Sequence, residues 1–214
     1  MSTRDSDQST PRHRRVTVAW ARVEPIRGEY DEEELSGLSG QVRAVRTTGM
    51  EPMVVLHDGA LPDWVIARHG WLHPDVLASW GCYVDRVAQK LGVHVAAWVP
   101  ILGMIGEAGW YDGEQRAVLR TLVEAHATAY LHVKRSQGYG GISPAIGMWE
   151  PGRAARGGFL AKPAAVARVL ATGRWSFPLG LVGELSNGTP ALDFVALGEG
   201  EARAEWPVAV YSVR

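Results

Sequence analysis

The chain is short of cysteine. Cys82 is its only one, which excludes an internal disulfide framework and fits a reducing, cytoplasmic compartment. In "ASWGCYVDRV" it stands among apolar neighbours, so it is expected to be buried as a small hydrophobe rather than displayed as a reactive thiol. Net charge is nearly absent as well, at −1. No global field draws the chain to nucleic acid or to an anionic membrane, and neither is expected as a partner. No apolar run approaches the roughly 20 residues of a membrane span. No Cys/His cluster has the spacing of a zinc site. The glycine-rich "GYGGIS" precedes a strand, whereas a phosphate loop follows one and opens a helix. No metal or cofactor is therefore expected. Lysine is scarce beside arginine, and Ala, Gly and Val abound, a composition typical of GC-rich bacterial genomes.

What is present is a globular composition. The 214 residues are 46% hydrophobic, enough for one domain with a real core. With Gly 25 and Pro 12 there are many turns, yet the chain stays below a low-complexity composition. The opening "MSTRDSDQSTPRHRR" has no apolar centre, so it is not a secretory signal. Residues 1–15 read as a disordered polar and basic tail, and 16–214 as a single domain. Arg12, Arg14 and Arg15 read as solvated, with contact to an acidic partner as the other reading.

Strand and helix signals alternate along the domain. "VTVAWARVEP" (16–25) alternates Val16, Val18 and Trp20 and predicts a strand closed by Pro25. Leu35, Leu38, Val42 and Val45 then fall at helical spacing, with Gly49 as the stop. "MEPMVVLHDG" (50–59) is an apolar strand. "HPDVLASWGCYVDRVAQKLG" (73–92) is a helix with Pro74 and Asp75 at its start and Gly92 at its end. "VHVAAWVPILG" is the third strand. Residues 113–136 form a long helix whose apolar side carries Val118, Leu122, Ala125, Ala129 and Val133. "GYGGISPAIGMWEP" is a strand with its exit loop, "KPAAVARVLATG" a helix, "ALDFVALGEG" (191–200) a strand, and "WPVAVYSVR" a last strand. Such alternation implies parallel strands joined by right-handed crossovers.

Five motifs in this order resemble those of family 1 glycoside hydrolases, the β-glucosidase family of retaining (β/α)8 barrels. "VAWARVEP" is similar to S-W-S-R-I-x-P through Trp20, Arg22 and Pro25. "TTGMEPMVVLHDGALPDWV" resembles G-I-x-P-x-V-T-L-x-H-W-D-L-P through Gly49, Pro52, Leu56, Leu61 and Pro62. The next segment carries Gly70, Trp71, Tyr83, Gly92, Val95 and Trp98 of the G-G-W…W pattern. "EAHATAYLHV" places His126 and His132 at the family spacing, and "LDFVALGEG" looks like the D-F-x-G-L-N-Y-Y strand. The resemblance spans about residues 16–200 and the family's second to sixth strands. The first, seventh and eighth strands, with the sugar-binding glutamine and the T-E-N-G nucleophile, have no counterpart. The implied fold is α/β: an incomplete TIM (β/α) barrel of about six mostly parallel strands with outer helices.

Retaining glycosidases need two carboxyl groups about 5–5.5 Å apart, one as acid/base and one as nucleophile. Counting from Trp98, the family's N-E-P falls on Leu102, Gly103 and Met104, so the acid/base position is a glycine. Glu107 lies four residues on and reads as a loop carboxylate in solvent, with a swing back towards the acid/base place as the other reading. The resemblance puts Arg22 at the arginine that pairs with the nucleophile; an anion, a partner's carboxylate or a structural ion pair would occupy it here. His57 or Asp58 takes the place of the sugar-binding histidine, and adjacent strand residues point to opposite faces. His126 and His132 fit core or helix-surface roles. Trp149, in "MWEP", is the best aromatic candidate for a ligand contact, with Glu150 beside it. The resemblance also puts Glu199 and Gly200 at the asparagine and tyrosine that follow the sixth strand. Arg22, His57, Asp58, Glu107, Trp149, Glu150 and Glu199 thus form the candidate ligand-binding set.

An incomplete barrel also leaves sheet edges and strand faces to cover. "MVVLHD" and "VAVYSV" are apolar on both faces, so a protein partner or a second copy is expected to cover them. The leading reading is a catalytically inactive pseudo-glycosidase acting as an accessory subunit of a bacterial biosynthetic enzyme. A divergent enzyme in a remodelled pocket, and a sugar-binding module without turnover, are the alternatives.

Overall fold

The computed structural model describes residues 13–137, 144–149, 163–175, 183–186, 188–197 and 209–212. Its strands are β1 (His13–Thr17), β2 (Glu51–Val55), β3 (Ala97–Val99), β4 (Ala145–Met148), β5 (Arg174–Trp175), β6 (Gly183–Glu184), β7 (Phe194–Leu197) and β8 (Ala209–Ser212). Six of them build one sheet in the order β1-β2-β3-β4-β7-β8, and every pair in it is parallel. β5 and β6 form a separate antiparallel pair, which the sequence patterns did not predict.

Helices make the crossovers. α1 (Trp20–Val23) and α2 (Glu32–Thr47) join β1 to β2, and α3 (Asp63–Ile66) and α4 (Val76–Leu91) join β2 to β3. α5 (Met104–Ala108) and α6 (Gln115–Gln137) lead to β4, and α7 (Pro163–Thr172) precedes the β5–β6 pair. α2 starts where the Asp31 carboxylate accepts the Glu34 amide, with Glu32, Glu33 and Glu34 at the positive end of the helix dipole. It stops before Gly49, whose φ of 79° is the left-handed turn a glycine makes without strain. Leu35, Leu38, Val42 and Val45 are buried, as their spacing predicts.

The alternation along each strand sorts side chains into two layers. Val16, Val18, Val54, Leu56, Trp98, Ile146 and Val195 enter the core between sheet and helices. Met53, Val55, Ala97, Val99, Phe194 and Ala196 face the concave inner side, where Trp149 joins them. Gly147 pairs with Phe194 across β4 and β7, and the Phe194 ring sits where a side chain on Gly147 would be. Met53, Val54 and Val55 are all fully buried. The expectation that "MVVLHD" leaves an apolar face in water is therefore not met: the chain covers both faces itself. The side chains of "VAVYSV" lie outside the described residues.

Two local expectations change. The first strand does not run from 16 to 25. It begins at His13 and pairs with β2 through Thr17. The chain then turns into α1, which puts Trp20 and Val23, three apart, on one buried face. Arg14 and Arg15 thus belong to a strand and not to a tail. Cys82 is exposed. α4 buries Val76, Trp80, Tyr83, Val84, Val87 and Leu91, and the helical period leaves position 82 on the opposite side despite its apolar neighbours.

Candidate functional site

The ladder continues past the carboxyl ends of the strands and gathers three exit loops. The Leu102 amide donates to the His57 carbonyl at 2.9 Å, and the Gly103 amide to the Trp149 carbonyl at 2.8 Å. At Gly103 the backbone turns left-handed, with φ 68° and ψ 42°, and α5 begins. One helical turn later the Glu107 amide donates back to the Gly103 carbonyl at 2.9 Å. This turn brings Glu107 back over the strand ends.

Its carboxylate is not in solvent, contrary to the expectation for a loop acid. Both oxygens lie 2.9 Å from His57 Nε2, and Trp71 Nε1–H donates to Oε1 at 2.5 Å. The side chains of His57 and Glu107 are 0% and 9% exposed. The His57 ring meets Trp71 and Trp80 edge to face, with centroids 5.3 and 6.3 Å away. Trp20, Trp80 and Tyr83 extend this aromatic nest, each such pair contributing about 0.5–1.5 kcal/mol beyond area burial. Tyr111 closes the cluster. Burial raises its phenol pKa, the Glu107 charge raises it further, and a bond with the Trp71 backbone opposes them. The hydroxyl lies against Gly70, where an added Cβ would stand 2.8 Å from it. Glu107 therefore ties the end of β2, the turn holding Trp71 and the start of α5 to one point.

The other candidates disperse. Arg22 lies on α1 with its side chain 72% exposed and paired to Glu34 at 2.6 Å, so the structural ion pair is the arrangement found. His57 is buried and its neighbour Asp58 exposed, so the two do not share a site. Trp149 is 7% exposed. The Arg15 guanidinium sits 5.6 Å over its ring, and its Nε1–H has no hydrogen-bond partner. Glu150, Glu199, Gly200 and the "GYGGIS" stretch lie outside the described residues. His126 is a core residue bonded to the Ala191 carbonyl at 2.9 Å, and His132 a helix-surface residue paired with Asp85 at 2.8 Å. Sequence reasoning missed the place of Arg15 over Trp149, and it missed Tyr111. The alternation that faces Arg15 the same way as Met53 was the available signal for the first.

Solved structures similar in shape to this chain include β-glucosidases. The β-glycosidase from Pyrococcus horikoshii superposes with a TM-score of 0.68 at 18% identity, covering 86% of this chain and 47% of that one. The family 1 β-glucosidase from Thermotoga maritima, in complex with isofagomine lactam, gives 0.70 at 17%, covering 87% and 50%. In sequence, beta-glucosidase 40 of Arabidopsis thaliana is 28% identical over 87 residues, or 40% of this chain and 17% of that protein. Beta-glucosidase 25 of Oryza sativa subsp. japonica is 30% identical over 87 residues, with the same coverage. No protein-family profile matches the chain.

The fold is a partial TIM barrel with parallel strands and outer helices. More narrowly, the fold is similar to part of the family 1 β-glucosidase barrel, and the chain spans about half the length of those solved structures and a smaller share of the curated relatives it matches.

Proposed function

We propose that the chain is a non-hydrolytic derivative of the β-glucosidase barrel that serves as an accessory or scaffolding subunit of a protein partner, an enzyme of bacterial biosynthesis. The observation that carries this reading is the exchange at Gly103. The acid/base place has no proton to give, and the next carboxylate along the chain, Glu107, is bonded to His57 and Trp71. A carboxylate held by two buried donors serves the fold rather than a leaving group. The sheet supports the second half of the reading, because β1 is paired on one side only among the described residues, and open edges invite another chain.

Two measurements test it. The purified chain should turn over an aryl β-glucoside no faster than buffer. The assembly isolated from source cells should have the mass of a fixed-ratio complex, and a lone monomer would remove the accessory role. A second reading, a divergent enzyme, is favoured by the buried His57–Glu107 pair at the strand ends where TIM barrels place their chemistry. Turnover of any substrate that Glu107→Gln abolishes would establish it instead.

A further inference from the structure

The basic residues before the first apolar strand residue are absorbed neither by the aromatic nest nor by the β2 and β3 loops. The Val18 amide donates to the Val55 carbonyl at 2.8 Å, which fixes the sides of β1. Amides of Arg14 and Val16 alternate with Val18 and face β2. Those of Arg15 and Thr17 face outward, where β1 has no neighbour among the described residues. Side chains alternate on the other axis. Val16 enters the core under the helices, so Arg14 shares that side, while Arg15 shares the inner side with Met53, its register partner. Both arginines are exposed. The polar contact at Arg15 is its stacking over Trp149, which holds the guanidinium at the inner rim. The edge thus combines outward backbone donors and acceptors with one cation on each face.

We propose that this edge of β1 docks an extended acidic segment of the protein partner, added as a further strand. Main-chain bonds would give affinity, and alternate side chains register. Carboxylates on adjacent residues of the added strand point to opposite faces and meet Arg14 and Arg15 separately. The proposal rests on the accessory reading and names the surface it uses. Arginines that merely guard an edge against pairing are the competing account.

The test uses the full chain and a short peptide of Val-Glu-Glu-Val repeats, with Val-Lys-Lys-Val repeats as control, read by amide hydrogen exchange. The acidic peptide should slow exchange at Arg15 and Thr17 by roughly tenfold or more, and the lysine peptide should not. Reversing both charges, Arg14→Glu with Arg15→Glu, should weaken the protection by about tenfold. Arg15→Pro removes an outward amide without touching the β2 ladder, so the protein should fold and lose the peptide. Equal protection by both peptides, or none, overturns the proposal. Protection that appears without peptide as protein concentration rises also overturns it, in favour of a second copy. A native assembly that shields other surfaces while β1 exchanges freely leaves the accessory reading intact and removes this one.

Discussion

Glu107→Ala is the most informative single change. It leaves the His57 ring and the Trp71 indole N–H buried with no acceptor. The pair is nearly dry, with side chains 0% and 9% exposed, so solvent cannot repair the loss. Breaking a buried pair by removing one partner costs about 3–5 kcal/mol. Glu107→Gln keeps the shape and an acceptor for Trp71, so its cost should be nearer 1–3 kcal/mol. Replacing both groups, His57→Phe with Glu107→Leu, should recover roughly half of the alanine penalty, because only the Trp71 N–H is then left without an acceptor. Urea unfolding followed by tryptophan fluorescence reads all three, with unchanged m-values required for the comparison. An alanine variant within about 0.5 kcal/mol of wild type, the usual range for surface changes, would refute the reading of Glu107 as a tie between loops.

Burial is the main cause that lowers the His126 pKa from 6.5 to about 4, with the Ala191 bond opposing it. The unfolded chain therefore binds the extra proton first. Stability from His126 is full above pH 6.5 and is lost as pH falls towards 4, by on the order of 3 kcal/mol. His126→Gln should flatten that slope in urea midpoints taken across the range. Gly147→Ala forces a Cβ to within 2.4 Å of the Phe194 ring and should cost about 1–3 kcal/mol by thermal or urea unfolding. Gly103→Glu puts back the residue type that the resemblance expects, but into a left-handed turn of φ 68°. It should cost about 1–2 kcal/mol, and an aryl β-glucoside assay should show no gained turnover.

Much of the fold was legible because it rests on local periodicity. The stripe Leu35, Leu38, Val42, Val45 and the apolar side of α6 are buried as spaced, and the parallel order follows from strand–helix alternation. Failures came where a local pattern was weak or overruled. His13, Arg14 and Arg15 carry no apolar alternation because they form an edge, so the strand's start was hidden. Apolar neighbours misled at Cys82, where the helical period decides. At Arg22 the motif match left an anion, a partner's carboxylate or a structural ion pair open, and the structure shows the ion pair, with Glu34. The partnership of Glu107 with His57 joins residues 50 apart in sequence. It depends on one left-handed residue at Gly103, which sequence spacing does not reveal.

Gly103 and Glu107 depend on each other. The Glu107 carboxylate, one helical turn beyond Gly103, holds two buried groups, His57 and Trp71, that would be orphaned without it. A side chain at position 103 would strain the turn that delivers Glu107, and deleting Glu107 would open the nest beneath it. Neither position can therefore change alone without loosening the loops that the pair joins at the carboxyl ends of the strands.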